Sequence, residues 1–367
     1  MSKIKRFFEC LLPVSVCNLK CPYCYLIQEG RRAMKAEELL YSSEHIAKAL
    51  RQERVGGPCY ISLCGCGETM LQKDLIPLVC CLLQEGHYVN ITTNGTLSSK
   101  YDELIQACGC SISHLHISFS LHYIELKERG WIDRYFDNVI KMREAGASVL
   151  VQFNLCDEYL PYLDEIKQVC MDSVGAYPQV ALTRNELTKP MSIMTDGTDE
   201  EYYQTGSTFD SPLFEFTYRN FMVKRTEYCY AGEWSGVLDM KTGILKKCYM
   251  EPGGVNIFED INKPIVFKPV GCDCHHIYCV NSSHFMSLGI IPEVDTPSYA
   301  QLRNRPEAGW YTSEMLEVLN GKLADCNRQH GWLGKKLIKL SAQTPRERLV
   351  TSRVYQWAHR MKVKFFG

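Results

Sequence analysis

No apolar stretch in this chain of 367 residues approaches the 18 or so residues that a membrane-spanning helix needs. Net charge is equally scarce. The 41 Lys and Arg against 42 Asp and Glu leave −1, so no overall field steers the chain toward nucleic acid or a membrane surface. No internal repeat occurs beyond an alternation of strand and helix patterns, and there is no low-complexity block. The opening "MSKIKRFFECLLPVSVC" mimics a signal peptide, but Glu9 and Pro13 interrupt its apolar run and no small-residue cleavage site follows. These absences point to a reduced, cytoplasmic protein.

Cysteine is abundant by comparison. Nineteen thiols make about 5% of the chain, below the roughly 8–10% of small disulfide scaffolds, and a core this large needs no staples. Charge is also unevenly placed. From Trp332 onward there are nine Lys or Arg and only Glu347 as an acid, a net of +8, so the first 331 residues carry about −9.

From about 57 to 186, apolar strands recur roughly every 30 residues, the length of one βαβ unit. Expected strands are 59–63, 87–93, 114–120, 148–154 and 179–183, with "FFECLLPVS" before them as a sixth. Helical patterns fill the gaps, two of them ending at Gly146 and Gly175. The fold class is α/β, with a parallel, barrel-like sheet. In "HLHISFS", His114, His116, Ser118 and Ser120 alternate with apolar residues, and in "SVLVQFN" Gln152 and Asn154 share a face. Polar residues facing inward near strand C-termini suggest a barrel that holds a polar ligand there. Residues 187–212 read as a linker or mobile lid, followed by a Cys-rich segment (229–279) within a domain over 213–331, then a basic tail from 332.

Three cysteines, Cys17, Cys21 and Cys24, fall within eight positions. A structural zinc site is closed by four ligands, and a disulfide uses two. Three close thiols after a first strand suit a cubane iron–sulfur cluster with one iron left open. A zinc site completed by a distant Cys or His is the alternative.

Cys17-x3-Cys21-x2-Cys24, with Tyr23 before the third cysteine, resembles the signature of radical S-adenosylmethionine (radical SAM) enzymes. "GCGET" (65–69) looks like the family's Gly-Gly-Glu motif, landing on Cys66, Gly67 and Glu68, with Cys66 in place of a glycine. "TNG" (93–95) closes the third strand as in many members. The resemblance covers roughly residues 7–186 and implies a partial (β/α)6 TIM-like barrel. It further implies that Cys17, Cys21 and Cys24 hold a [4Fe–4S] cluster whose fourth iron is chelated by S-adenosylmethionine. Tyr23, Cys66, Gly67, Glu68, Asn94, Ser118, Ser120, Gln152 and Asn154 are the residues it implies for cofactor binding. Reductive cleavage would then give a 5′-deoxyadenosyl radical that abstracts hydrogen from substrate, with a flavodoxin or ferredoxin as the electron donor.

Cys229-x13-Gly243-x4-Cys248 resembles the opening of the SPASM and twitch extensions, which carry auxiliary [4Fe–4S] clusters. Only Cys272, Cys274 and Cys279 follow in that segment, so one auxiliary cluster is expected, on Cys229, Cys248, Cys274 and Cys279, with Cys272 in reserve. Zinc bound with His275 or His276 is the alternative. His284 reads as a packed or capping histidine. Cys80, Cys81, Cys108, Cys110, Cys156 and Cys170 read as small apolar residues, and Cys326 as core packing before hydrogen-atom donor. In the tail, Val350, Val354, Trp357, Met361 and Phe365 fall at helical spacing. That stripe is expected to dock on the protein's own core, with peripheral membrane contact as the alternative. The expected substrate is small or carrier-linked, a sugar or cyclitol, that is dehydrogenated or epimerised. Maturation of a ribosomally made peptide by thioether, carbon–carbon or epimerisation chemistry is the second reading.

Overall fold

The computed structural model describes residues 4–272 and 274–342. Six parallel strands form its centre: β1 (Arg6–Leu12), β2 (Cys59–Gly65), β3 (Tyr88–Thr93), β4 (Leu115–Ser120), β5 (Ser148–Leu155) and β6 (Gln179–Leu182). They pair in chain order, each with the next. Each of the six expected strands overlaps one of them. Helices such as Ser98–Cys108, Ile132–Glu144 and Leu163–Val174 run between the strands, and Gly175 ends the last with φ +78°. The expected α/β barrel-like sheet is therefore present.

Alternate residues of a strand share a face, and on the inner face this produces layers. At the strand N-terminal end, the Tyr60 hydroxyl meets His116 Nδ1 at 2.7 Å, and Tyr60 also packs against Tyr299. Two residues further along, a hydrogen-bonded belt crosses four strands. Ser118 Oγ donates to Asn90 Oδ1 (2.8 Å), Asn90 Nδ2 to Ser62 Oγ (3.3 Å), and Ser62 Oγ to Glu9 Oε1 (3.2 Å). All four side chains are buried. A buried polar group without a partner costs free energy, so the belt lets a wet barrel interior coexist with a packed outer face. Ser120, Gln152 and Asn154 lie beyond it, toward the strand C-termini, and line a cavity.

The 187–212 stretch, read as a linker or lid, carries secondary structure of its own. It contributes β8 (Ser192–Ile193), which pairs with β7 (Arg184–Asn185), and the helix Asp199–Ser207. That helix starts at a capping box of Thr198 and Glu201, a Thr-x-x-Glu signal present in the sequence. The segment after 213 is joined to the barrel through its sheet. β9 (Ser235–Asp239) pairs in parallel with β1, and β10 (Ile244–Lys246) and β11 (Val255–Asn256) extend the same sheet to nine strands. The boundary expected at 213 falls at the start of the helix Pro212–Asn220, which packs on β6. Among the described residues no helix is long and apolar enough to cross a membrane. The amphipathic stripe at 350–365 lies outside the described residues.

Glu9 reports on the belt. Burial raises its pKa to about 7, although Cys64, Ser62 and Asn281 all donate toward it. A carboxyl group raised from about 4.3 in the unfolded chain stabilises the fold fully below that value, and the contribution is lost as pH rises through about 7. Stability should therefore fall by on the order of 3 kcal/mol between pH 4.3 and 7.5 through this group. In Glu9→Gln that component should be absent, so the difference between the parent and variant pH–stability curves measured by urea unfolding should change by about this amount over the same range. Parallel curves would contradict the assignment.

Candidate active site and a second cysteine cluster

The cysteine loop is placed by an unusually close backbone approach. Gly67 N–H donates to Val14 O and Glu68 N–H to Val16 O, both at 2.8 Å, so the turn after β2 lies directly against the residues that lead into Cys17. A Cβ on Gly67 would sit 2.1 Å from Val16 O, and one on Gly65 would sit 2.1 Å from Val14 Cγ1. Both positions therefore require glycine. Cys66 between them is exposed, which explains how a cysteine stands where the resembling motif has glycine.

Glu68 then ties the turn to β3. Its buried carboxylate accepts from Met70 N (2.9 Å), Thr93 Oγ1 (2.6 Å) and Asn94 N (2.8 Å). Burial holds its pKa above the ordinary carboxylate range while those three donors pull it down. With three donors already bound, this carboxylate is mainly a clamp on the loops that shape the cavity. Asn94 carries the clamp onward, its Nδ2 reaching Asn18 Oδ1 at 2.8 Å and the Cys17 sulfur at 3.8 Å. Leu19 N–H also points at Cys17 Sγ (3.4 Å), and Arg32 Nη2 holds the carbonyls of Cys17 (2.6 Å) and Leu19 (2.8 Å). The Tyr23 hydroxyl is fixed between His122 Nδ1 (2.6 Å) and Tyr159 (3.0 Å).

A single cavity of about 410 Å³ gathers the result. Cys17, Cys21 and Cys24 line it, as do Tyr23, Cys66, Gly67, Glu68, Asn94, Ser120, Gln152 and Asn154. Ser118 does not. One layer deeper than Ser120, its hydroxyl is bonded within the belt to Asn90, so it is unavailable to a ligand in the cavity. The wall also includes Arg32, His122, Asn281, His284 and Arg303, which the sequence did not single out as site residues. His284 packs against Phe7 and Tyr299, as a packed histidine should, and it also borders this space.

The second cysteine group also converges. Cys229 and Gly271 exchange backbone hydrogen bonds (3.0 and 2.9 Å), which carries the 272–279 segment alongside Cys229. Cys229, Cys248, Cys274 and Cys279 all line one small cavity of about 40 Å³, and Cys279 lines the main cavity too. Cys272 is exposed and lines neither. His276 faces the small cavity, whereas His275 does not. Among the described residues, no group of three or more His, Cys, Asp or Glu converges on a single-ion site. One zinc ion needs its thiolates about 2.3 Å from a common point, whereas the thiolates of a cluster bind separate irons and stand farther apart. Both groups offer thiols as their donor atoms. Burial raises the Cys21 thiol to about 12 and the Cys279 thiol likewise, so metal uptake must displace protons from both. Elsewhere, Cys326 Sγ donates to Ile4 O and lines neither cavity. Cys110, read as a small apolar residue, is exposed.

Residues 11–157 match the family model described as the Radical SAM superfamily. Over 116 residues the chain is 34% identical to a probable GTP 3′,8-cyclase of Archaeoglobus fulgidus, covering 32% of this chain and 36% of that protein. Over 118 residues it is 32% identical to a PqqA peptide cyclase of Granulibacter bethesdensis, covering 31% and 29%. The chain thus aligns with about a third of the length of these curated relatives. Among solved structures, Streptococcus suis SuiB bound to S-adenosylmethionine superposes with a TM-score of 0.50 at 17% identity, over 70% of this chain and 64% of that one. The protein anSMEcpe with bound AdoMet gives 0.50 at 14%, over 70% and 79%. These likenesses agree with the partial barrel seen here.

The glycine argument makes a contrasting pair of expectations. Gly67→Ala should push the turn off Val16, costing about 1–3 kcal/mol of stability and weakening S-adenosylmethionine binding. Cys66→Gly should change neither by a measurable amount. Urea unfolding and equilibrium dialysis of the two variants decide this, and equal effects would contradict the packing described.

Proposed function

From a chain whose residues 11–157 match the Radical SAM superfamily model, we propose an enzyme that reductively cleaves S-adenosylmethionine and abstracts hydrogen from a small or carrier-linked substrate. A sugar or cyclitol is the first choice, and dehydrogenation or epimerisation the outcome. The observation that carries this reading is the shared cavity, where the three-cysteine loop, the Gly-rich turn and the polar ends of β3 to β5 meet, with Cys279 in the wall.

A radical SAM domain takes a [4Fe–4S] cluster and S-adenosylmethionine as its cofactors, and together they supply a 5′-deoxyadenosyl radical. The residues present fit that pair. Cys17, Cys21 and Cys24 offer three thiolates and leave one position open, and N–H groups of Leu19 and Asn94 aimed at the Cys17 sulfur favour its charged form. Ser120, Gln152 and Asn154 offer hydrogen-bonding groups suited to a ribose and a carboxylate, while the 65–68 turn presents backbone groups to an amino group. Buried Tyr23 and Leu26 line the same cavity and present apolar surface beside the cysteines.

Cys229, Cys248, Cys274 and Cys279 are assigned to one auxiliary [4Fe–4S] cluster. Because Cys279 borders both cavities, a cluster held by these four cysteines would lie beside the main cavity and would supply an electron acceptor there, which favours a two-electron oxidation. A flavodoxin or ferredoxin is the proposed electron donor. The likeness to a PqqA peptide cyclase favours the second reading, maturation of a ribosomally made peptide. A cavity of about 410 Å³ that must also hold the cofactor favours a small substrate, or only the reacting end of a larger one.

Anaerobically reconstituted protein should hold about eight irons, four for each cluster. Replacing Cys17, Cys21 and Cys24 with Ala should remove about four and abolish dithionite-driven formation of 5′-deoxyadenosine. Cys272→Ala should keep the full iron content, while Cys274→Ala or Cys279→Ala should lose about four yet still cleave the cofactor. Iron near four in the parent protein would remove the auxiliary cluster, and bound zinc with little iron would overturn the whole reading.

A further inference from the structure

Arg303 is the least conventional group in the main cavity. It lies on the short helix Tyr299–Arg303, is 2% exposed, and lines the cavity. Its guanidinium lies 3.8 Å from the centre of the Tyr299 ring, and Nη1 donates to Ser283 O at 2.9 Å. No carboxylate among the described residues lies within ion-pair distance of it, and the buried Glu9 carboxyl group acts on it only from farther away.

Its neighbour shows what a structural arginine looks like in this fold. Arg305, also buried, donates to the carbonyls of Tyr177, Pro178, Phe209 and Asp210 at 2.8–3.5 Å. Arg303 has five N–H donors and one such bond. A buried cation is costly unless it is paired and hydrogen-bonded, and the open side of this one is the cavity.

The adjoining residues complete a small site. His284 Nδ1 is 2.6 Å from Asn281 Oδ1, and Asn281 Nδ2 points at Glu9 Oε2 at 3.4 Å. An amide oxygen can only accept, so Nδ1 carries the proton. Burial and the nearby Arg303 keep the imidazole neutral. Nε2 is then an acceptor without a partner among the described residues, on a side chain that lines the same cavity.

We propose that the wall formed by Asn281, His284 and Arg303 is a substrate subsite for an anionic group, with Arg303 as its counter-charge and His284 Nε2 accepting from a hydroxyl beside it. The substrate class is a polyol bearing a phosphate or carboxylate. This deepens the proposed function and rests on it. The cofactor-binding groups come from the cysteine loop and the ends of β2 to β5, whereas this wall comes from residues 281–303. The anion it takes is therefore the substrate's and not the carboxylate of S-adenosylmethionine.

The test is calorimetric titration of anaerobically reconstituted protein, saturated with S-adenosylmethionine, with inorganic phosphate, with acetate, and with glycerol as the neutral control. Saturable one-site uptake of at least one anion is expected. It should weaken at least tenfold in Arg303→Gln and less than threefold in Arg303→Lys, with cofactor affinity within twofold of the parent in both. His284→Glu, which supplies an internal carboxylate, should abolish uptake while the cation remains. No saturable uptake by the parent protein, or uptake unchanged in Arg303→Gln or in His284→Glu, would overturn the proposal. Joint loss of anion and cofactor binding in Arg303→Gln would also overturn it, by assigning the guanidinium to the cofactor. If Arg303→Gln does not fold, the parent titration and His284→Glu still decide. Iron content and 5′-deoxyadenosine formation in the same preparations show separately whether the cofactor reading holds.

Discussion

The close approach of the turn after β2 to residues 14–16 is the constraint on which the site depends. Two backbone hydrogen bonds of 2.8 Å, made possible by Gly65 and Gly67, fix where the chain stands as it enters Cys17. Glu68 extends the constraint to β3 through Thr93 and Asn94, and Asn94 returns it to the cysteine loop through Asn18 and the Cys17 sulfur. A loop of three thiols would otherwise be free to collapse or to oxidise. Here a closed circuit of backbone and side-chain bonds holds it against one cavity wall, and the glycines are where that circuit is least tolerant of change.

The barrel was legible because its signals are local. Strand spacing, β-branched and aromatic runs, and terminal glycines report on neighbouring residues, and the polar alternation in β4 and β5 correctly foretold a polar interior. The alternation could not say how deep each polar residue sits. Ser118 and Ser120 look alike in sequence, yet two residues along a strand separate a buried belt from a ligand-facing rim. Glu9 was readable only as an interruption of an apolar run, although it closes the belt. The linker reading of 187–212 overlooked the Thr198–Glu201 capping box among the Gly, Thr and acidic residues around it.

The second cysteine group shows the opposite case, in which spacing alone was weak but topology is informative. Cys229 and Cys248 flank strands that extend the barrel sheet, and the 229–271 bridge brings the later cysteines to them. Attaching this segment to β1 places Cys279 and the 281–284 turn beside the main cavity. Arg303 and His284 gave no sequence signal because nothing in "QLRNRP" or "NSSHF" separates a ligand-facing side chain from one that packs. Their roles emerge only when the hydrogen bonds of Arg305 and Asn281 are compared with theirs.

The central claim, that Cys17, Cys21 and Cys24 hold a cluster with one iron open to S-adenosylmethionine, is tested most directly by electron paramagnetic resonance of the dithionite-reduced protein. The account predicts a [4Fe–4S]⁺ signal that shifts when S-adenosylmethionine is added and that is missing when the three cysteines are replaced with Ala. A reduced cluster signal indifferent to S-adenosylmethionine, or one that survives loss of all three cysteines, would contradict it.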